Sequence, residues 1–200
     1  MLCEKMNINI WEVIEAAKTK PYGFQPFYPG PGLGGHCIPL DPYYLSWKAR
    51  KYGFHTSMIE ASMMINDRMP EYTVGRVAKI LNRFKKSLNG AKILAMGVAY
   101  KQDISDYRES PALKVIDLLL KESAEVSFYD PYVSKYAHKG VTYTGLEALS
   151  ASTLQQADLV IITAAHTKVD YDFVQKNAQV VFDTKNAMKN VMVRGNIEVL

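Results

Sequence analysis

One stretch of the chain concentrates groups able to do chemistry: Gly30-Pro31-Gly32-Leu33-Gly34-Gly35-His36-Cys37-Ile38-Pro39-Leu40-Asp41-Pro42. A helix is expected to start at Asp41-Pro42, an acidic N-cap followed by proline at the first helical position. Cys37 then lies just ahead of a helix N-terminus, where partial positive charge stabilises a thiolate. On chemistry alone two readings stay open. Cys37 is an activated nucleophile, or it is a small buried apolar residue, the commonest setting of a free cysteine. Asp41 is explained as the cap, but it also stands four residues from the thiol, where it could orient water. His36 is expected to diverge from Cys37, because neighbours in an extended segment point to opposite sides. A packing or backbone-binding role for His36 follows, and a thiol hydrolase lacks a base and an orienting acid at recognisable spacing. His36, Cys37, His55 and Cys3 have none of the paired short spacings of zinc ligands, so no metal site is expected.

The same glycines satisfy G-x-G-x-x-G as text. The dinucleotide fingerprint needs a buried strand before it and a helix directly after it. Here Pro26 and Pro29 precede and Pro39 follows, so the segment reads as a loop whose bare backbone admits a ligand closely.

The elements around this loop follow from periodicity and punctuation. Leu2, Cys3 and Met6 have helical spacing. Asn9 with Glu12 resembles a capping box opening a second helix, with Ile10, Ile14 and Ala17 on one face beside Trp11. Residues 21–42 hold proline and glycine at a density that forbids regular structure, and so long an irregular segment is expected to bind or catalyse. From Pro42, Leu45, Ala49 and Tyr52 form the apolar face of a helix that Gly53 ends. A helical tract over 57–88 is divided at Pro70, with Met58, Ala61, Ile65 and Met69 on one stripe and Val74, Val77, Ala78, Leu81 and Phe84 on the next. Beyond Gly90 short apolar strands alternate with helices. The strands are expected at 93–96, 125–129, 158–163 and 179–182, with helices from Ser110-Pro111 and near 170–176. That pattern predicts an α/β fold, a helical region over 1–89 followed by a parallel-sheet domain over 90–200 with helices on both faces.

Composition narrows the classes. The 200 residues are 48% hydrophobic and 22% charged with a net charge of +4, which argues against disorder, collagen and coiled-coil rods. Basic residues are interspersed with acids and form no stripe for nucleic acid. No apolar run reaches the roughly 18 residues of a membrane span, and two distant cysteines make no disulfide framework. A reduced, cytoplasmic setting is the expectation.

Two motifs together carry a resemblance. The segment from Phe27 to Leu45 resembles the nucleophile loop of the UDP-glucose/GDP-mannose dehydrogenase family. Gly97-Val98-Ala99-Tyr100-Lys101 with Asp106-Tyr107-Arg108-Glu109-Ser110-Pro111 resembles that family's C-terminal signature. The resemblance implies oxidation of the C6 alcohol of a nucleotide sugar to a carboxylate with NAD as oxidant. It implies Cys37 as the nucleophile that forms a thiohemiacetal and then a thioester, and Asp41 as the acid that positions water. It further implies Phe27, Tyr28 and Lys101 at the substrate, Gly34 as the glycine that lets the sugar approach, and Arg108 on the cofactor side. An ion pair of Arg108 with Glu109 or Asp106 is the bland alternative. His36 and the Pro-Gly-Pro-Gly run look more like the branch acting on UDP-N-acetylhexosamines, UDP-N-acetylglucosamine before UDP-N-acetylmannosamine.

Members of that family begin with an NAD-binding domain, and no strand-borne fingerprint occurs in these residues. The expectation is therefore a C-terminal portion, inactive alone, that belongs to surface-polysaccharide precursor synthesis. It is expected to pair with a second copy through 57–88, with Cys37 and Lys101 facing one sugar-sized hollow. The alternative is a UDP-sugar-binding and dimerisation module without catalysis.

Overall fold

A computed structural model describes all 200 residues. Its elements run α1 (Leu2–Lys5), α2 (Ile10–Lys18), α3 (Cys37–Arg50), α4 (Ser57–Asp67), α5 (Met69–Arg83), β1 (Lys92–Met96), α6 (Pro111–Lys121), β2 (Glu125–Tyr129), β3 (Lys135–His138), β4 (Val141–Thr144), α7 (Ala151–Gln156), β5 (Leu159–Ile162), α8 (Tyr171–Asn177), β6 (Val181–Asp183) and β7 (Ile197–Val199). The fold is α/β, as the alternation of strands and helices predicts.

Five parallel strands form one sheet in the order β2-β1-β5-β6-β7. Because successive side chains of a strand leave opposite faces, an all-apolar strand feeds two cores. Ile93, Ala95, Leu159, Ile161 and Phe182 pack on one face with α5 and α6. Leu94, Met96, Val160, Ile162 and Val181 pack on the other with Leu154 of α7 and Val174 of α8. Ser110 caps α6 through the Ala112 N–H, and Asp170 caps α8 through the Phe173 N–H. The β3–β4 hairpin, α7 and β7 are additions that the apolar periodicity does not announce; all are short, and none of the hairpin or β7 residues is buried except Tyr136.

The helical region departs from expectation in three ways. The helix expected at Asp41-Pro42 begins at Cys37, with His36 as N-cap, so Asp41 is an interior residue and not the cap. Pro39 falls in the first turn, where no helical N–H partner is needed, and only Pro42 leaves an amide bond unmade. Leu45 and Tyr52, expected inward, are exposed, and Ser46 is the one buried residue of α3. The tract over 57–88 is two helices ending at Arg83, with Pro70 opening the second. Of its stripes, Met58 and Ile65 are exposed, while Val74, Val77 and Leu81 are spent inside the chain against the sheet domain.

Candidate functional site

The Pro/Gly segment is docked on two neighbours at Leu33-Gly34-Gly35. Asn66 of α4 accepts the Leu33 N–H at 2.8 Å. Gly34 lies so close to the sheet domain that a β-carbon there would sit 2.6 Å from Tyr100 Cβ and 2.8 Å from the Glu109 carbonyl oxygen. Gly35, at φ +85°, presses on the Tyr100 ring. A side chain at Gly34 is thus excluded by Tyr100, Glu109 and Pro111.

Cys37 follows two residues later, exposed, as the first residue of α3. This is the helix end that favours negative charge. Asp41 is one turn on, on the same face. His36 does not diverge. Its backbone is already in the helical region, and the ligating atoms of His36, Cys37 and Asp41 all lie within 4.8 Å of one another, with His36 Nδ1 3.9 Å from Asp41 Oδ1. The expectation failed because it assumed an extended chain through residue 37. Cys37 and Asp41 line a cavity of about 660 Å³ between α3 and α4, walled largely by Leu33, Ile38, Leu45, Met58 and Ile59. Tyr43 donates its hydroxyl to Asp67 there, and that bond holds its pKa above the ordinary value.

Lys101 lines a different cavity, of about 500 Å³. The single hollow expected for Cys37 and Lys101 is therefore two, separated by the Gly34-Gly35 contact with Tyr100. The second cavity is set where the chain leaves β1 (Tyr100, Lys101, Gln102), β5 (Ala164, Ala165) and β6 (Lys185, Asn186, Lys189). These are carboxyl ends of parallel strands, the usual ligand crevice of open α/β sheets. Its fourth wall is Trp11 and Glu15 of α2 with Tyr28 and Pro29 of the loop. Tyr28 stacks on Trp11 with ring centroids 6.0 Å apart and donates its hydroxyl to Glu15 at 3.2 Å.

Three features of this cavity were not read from the sequence. Lys185 is partly covered and burial lowers its pKa, with no carboxylate to offset the loss of hydration. It is carried on a turn that Asp183 fixes by accepting the N–H groups of Lys185, Ala187 and Met188 at 2.8–3.1 Å. Lys189 adds a second cation and Trp11 contributes an indole Nε1 that is buried without a hydrogen-bond partner. A lysine after a strand-end aspartate was the signal available, and it has no meaning until the strand order is known.

Two expected site residues stand apart. Phe27 is exposed and lines neither cavity. Arg108 is spent on Asp106 through a two-pronged pair at 2.9 and 2.7 Å, which holds the Asp106 carboxyl down at about 2; this is the bland alternative, and it leaves the guanidinium exposed. Nor do the residues fit a dinucleotide cradle. The glycine loop does run into a helix, but no strand feeds it, and its glycine backbone is pressed against Tyr100 and Pro111. After β1 no glycine turn opens α6, which starts 15 residues beyond Met96 at Pro111.

Comparison with known proteins agrees with this layout. Residues 1–68 match the UDP-glucose/GDP-mannose dehydrogenase family, central domain, and residues 94–190 match the same family's UDP binding domain. The UDP-N-acetyl-D-mannosamine dehydrogenase of Methanocaldococcus jannaschii is 33% identical over 195 residues, 94% of this chain and 42% of the relative. The UDP-N-acetyl-D-glucosamine 6-dehydrogenase of Pseudomonas aeruginosa is 32% identical over 168 residues, 84% of this chain and 39% of the relative. A solved UDP-D-ManNAc dehydrogenase from Pyrococcus horikoshii superposes with a TM-score of 0.82 at 29% identity, over 99% of this chain and 45% of that one. The chain spans less than half the length of these relatives. By both domain matches and by its sheet, it belongs to the UDP-glucose/GDP-mannose dehydrogenase family, of which it carries the central and UDP-binding domains.

Proposed function

We propose that this chain supplies the nucleophile and the nucleotide-sugar site of an NAD-dependent UDP-N-acetylhexosamine 6-dehydrogenase, with UDP-N-acetylglucosamine the favoured substrate and UDP-N-acetylmannosamine next. The observation that carries the reading is the seating of Gly34-Gly35 on Tyr100. It holds Cys37 on one side of a single loop and the lysine cavity on the other, so a ligand anchored by its diphosphate in the second can be directed at the thiol.

The roles follow from the groups. Lys101, Lys185 and Lys189 meet phosphoryl oxygens, and the poorly hydrated Lys185 gains most from an anion. Tyr28 and Trp11 offer an aromatic wall, and the unpaired indole N–H offers a donor. Cys37 adds to the C6 aldehyde carbon, so the intermediate is held by a covalent bond. Asp41 orients the water that cleaves the later thioester. Arg108 reaches the cofactor side only after releasing Asp106. NAD belongs to the longer protein, and these 200 residues do not reduce it alone. The domains divide at 89/90. The setting is cytoplasmic, in the supply of precursors for surface polysaccharide.

Calorimetric titration of the chain with UDP and with UDP-N-acetylglucosamine tests the anchoring. Binding is expected, with Lys185→Ala weakening it by about tenfold or more, as loss of a charge-assisted bond requires. Equal affinity in the variant overturns the placement of the diphosphate, and NAD reduction by the purified 200-residue chain overturns its inactivity.

One observation favours the second reading, a binding and dimerisation module. Tyr44, Leu45, Trp47, Met58, Met64 and Ile65 of α3 and α4 are all at least half exposed. The partner proposed for this face is a second copy of the chain, through α3 and α4; α5, part of the expected 57–88 surface, is already packed internally. Light scattering that shows only monomer at high concentration counts against it. No helix here is long and apolar enough to cross a membrane.

A further inference from the structure

We propose that His36 is the proton acceptor for the Cys37 thiol and that Asp41 holds the imidazole to that task. The inference deepens the reading above and rests on Cys37 being the nucleophile.

The ordinary occupations of a histidine are closed here. As N-cap of α3 its side chain makes no capping hydrogen bond, and the side chain is 72% exposed, so it neither serves the backbone nor packs. Its one close charged neighbour is Asp41, at 3.9 Å from Nδ1. A ring nitrogen lies within 4.8 Å of the Cys37 sulfur, a separation that one rotamer adjustment or one water closes; such bonds commonly tighten only when substrate is bound. The arrangement is a consequence of where α3 begins. An N-cap residue with helical dihedrals at 36, a first-turn residue at 37 and an i,i+4 partner at 41 fall together. The other titratable groups on the wall of this cavity are Tyr43 and Asp67, and these are engaged with each other. Asp41 is left as the carboxylate that can stabilise an imidazolium beside the sulfur.

The step balances without an oxidant. The thiol proton passes to the neutral imidazole and the sulfur lone pair forms a bond to the aldehyde carbon. The carbonyl π pair moves to oxygen, and the imidazolium returns its proton there. S–H has then added across C=O, and nothing is oxidised or reduced. With Asp41 as orienting acid, the three groups repeat the nucleophile–base–orienter logic of acyl-transfer sites.

The test is the pH dependence of Cys37 alkylation by iodoacetamide in this 200-residue chain, read by peptide mass spectrometry so that Cys3 is counted separately. The rate is expected to rise in two steps, the lower one carried by the imidazole and the upper one by the thiol itself. His36→Gln should remove the lower step and slow alkylation at pH 7 by about tenfold. Asp41→Asn should also slow alkylation at pH 7, because the ring loses the carboxylate that orients it. One-step profiles that coincide for the native chain and His36→Gln overturn the proposal. Should His36→Gln lose its circular-dichroism spectrum, Asp41→Asn decides alone, and an unchanged alkylation rate overturns it. A two-step profile, together with failure of the longer protein to oxidise either UDP-N-acetylhexosamine, would keep the pairing and remove the dehydrogenase reading, so the two fail separately.

Discussion

Helices α3 and α6 both carry proline in their first turn and several large apolar residues, yet they are used in opposite ways. Helix α6 buries Pro111, Ala112, Leu113, Val115, Ile116 and Leu119 against the sheet. Helix α3 buries only Ser46 and leaves Ile38, Tyr44, Leu45 and Trp47 in solvent. The same contrast separates the regions they belong to. The sheet domain encloses two apolar clusters and closes its own polar accounts, whereas residues 1–68 bury little beyond Trp11, Ile14 and Met63. A region that presents Cys37 on an exposed helix beside an apolar cavity derives its rigidity from what it docks on. The Gly34–Tyr100 contact and the Asn66–Leu33 bond are the points where that docking is visible.

Substitutions can break or sharpen this contrast. The largest effect is expected at Asp130, at the end of β2. It accepts the N–H groups of Val98 (2.7 Å), Ala99 (3.2 Å), Tyr132 (2.8 Å) and Val133 (3.1 Å), and the buried His166 Nε2 stands 3.0 Å away. The Asp103 N–H donates to His166 Nδ1, so the ring is the neutral tautomer with its proton on Nε2. Asp130→Ala strands these donors and should cost about 4 kcal/mol or more in denaturant titration, each buried unpaired group costing about 1–3. Burial opposes the Asp130 charge, but the His166 bond and the backbone donors outweigh it and hold the carboxyl below its usual range. The stability this contributes is therefore complete above an unfolded value of about 3.9 and is lost as pH falls through the lower folded value. Asp130→Asn should flatten the acid limb of a stability-versus-pH curve.

Next in size, Ile161→Ala in the centre of the sheet should cost about 3 kcal/mol through lost burial and a residual cavity. Gly34→Ala should cost about 2 kcal/mol, and selectively. The loop must lift from Tyr100, so proteolysis near Phe27-Tyr28 should accelerate while the unfolding midpoint of the sheet domain holds. If both regions loosen together, the contrast drawn between them is wrong. Smallest is Met58→Ala on the exposed face of α4, expected within about 0.5 kcal/mol in the chain by itself. A larger loss in dilute solution would mean that this face is already covered by a second copy.

Much of this was legible in the residues. The strands announced themselves as all-apolar runs because a parallel strand is buried on both faces. The caps at Asn9 and Ser110 stand where their elements start, since capping is a local bond between neighbours. Paired motifs around Cys37 and Lys101 identified the family. Four things needed the fold. Asp41-Pro42 pointed to a helix starting at 41, but in the fold the helix begins at 37, directly after Gly34-Gly35 meets Tyr100, which reversed the relation of His36 to Cys37. Lys185 acquired meaning only when β6 took its place beside β5, bringing a residue 84 positions away to the wall that Lys101 lines. The division of one expected hollow into two cavities depends on a glycine–tyrosine contact that no local pattern encodes. So does the split fate of the helical stripes, spent on the sheet in α5 and left free in α4. Local bonds and burial periodicity are written along the chain; which surfaces meet depends on long-range packing, and that is decided only when the chain is folded.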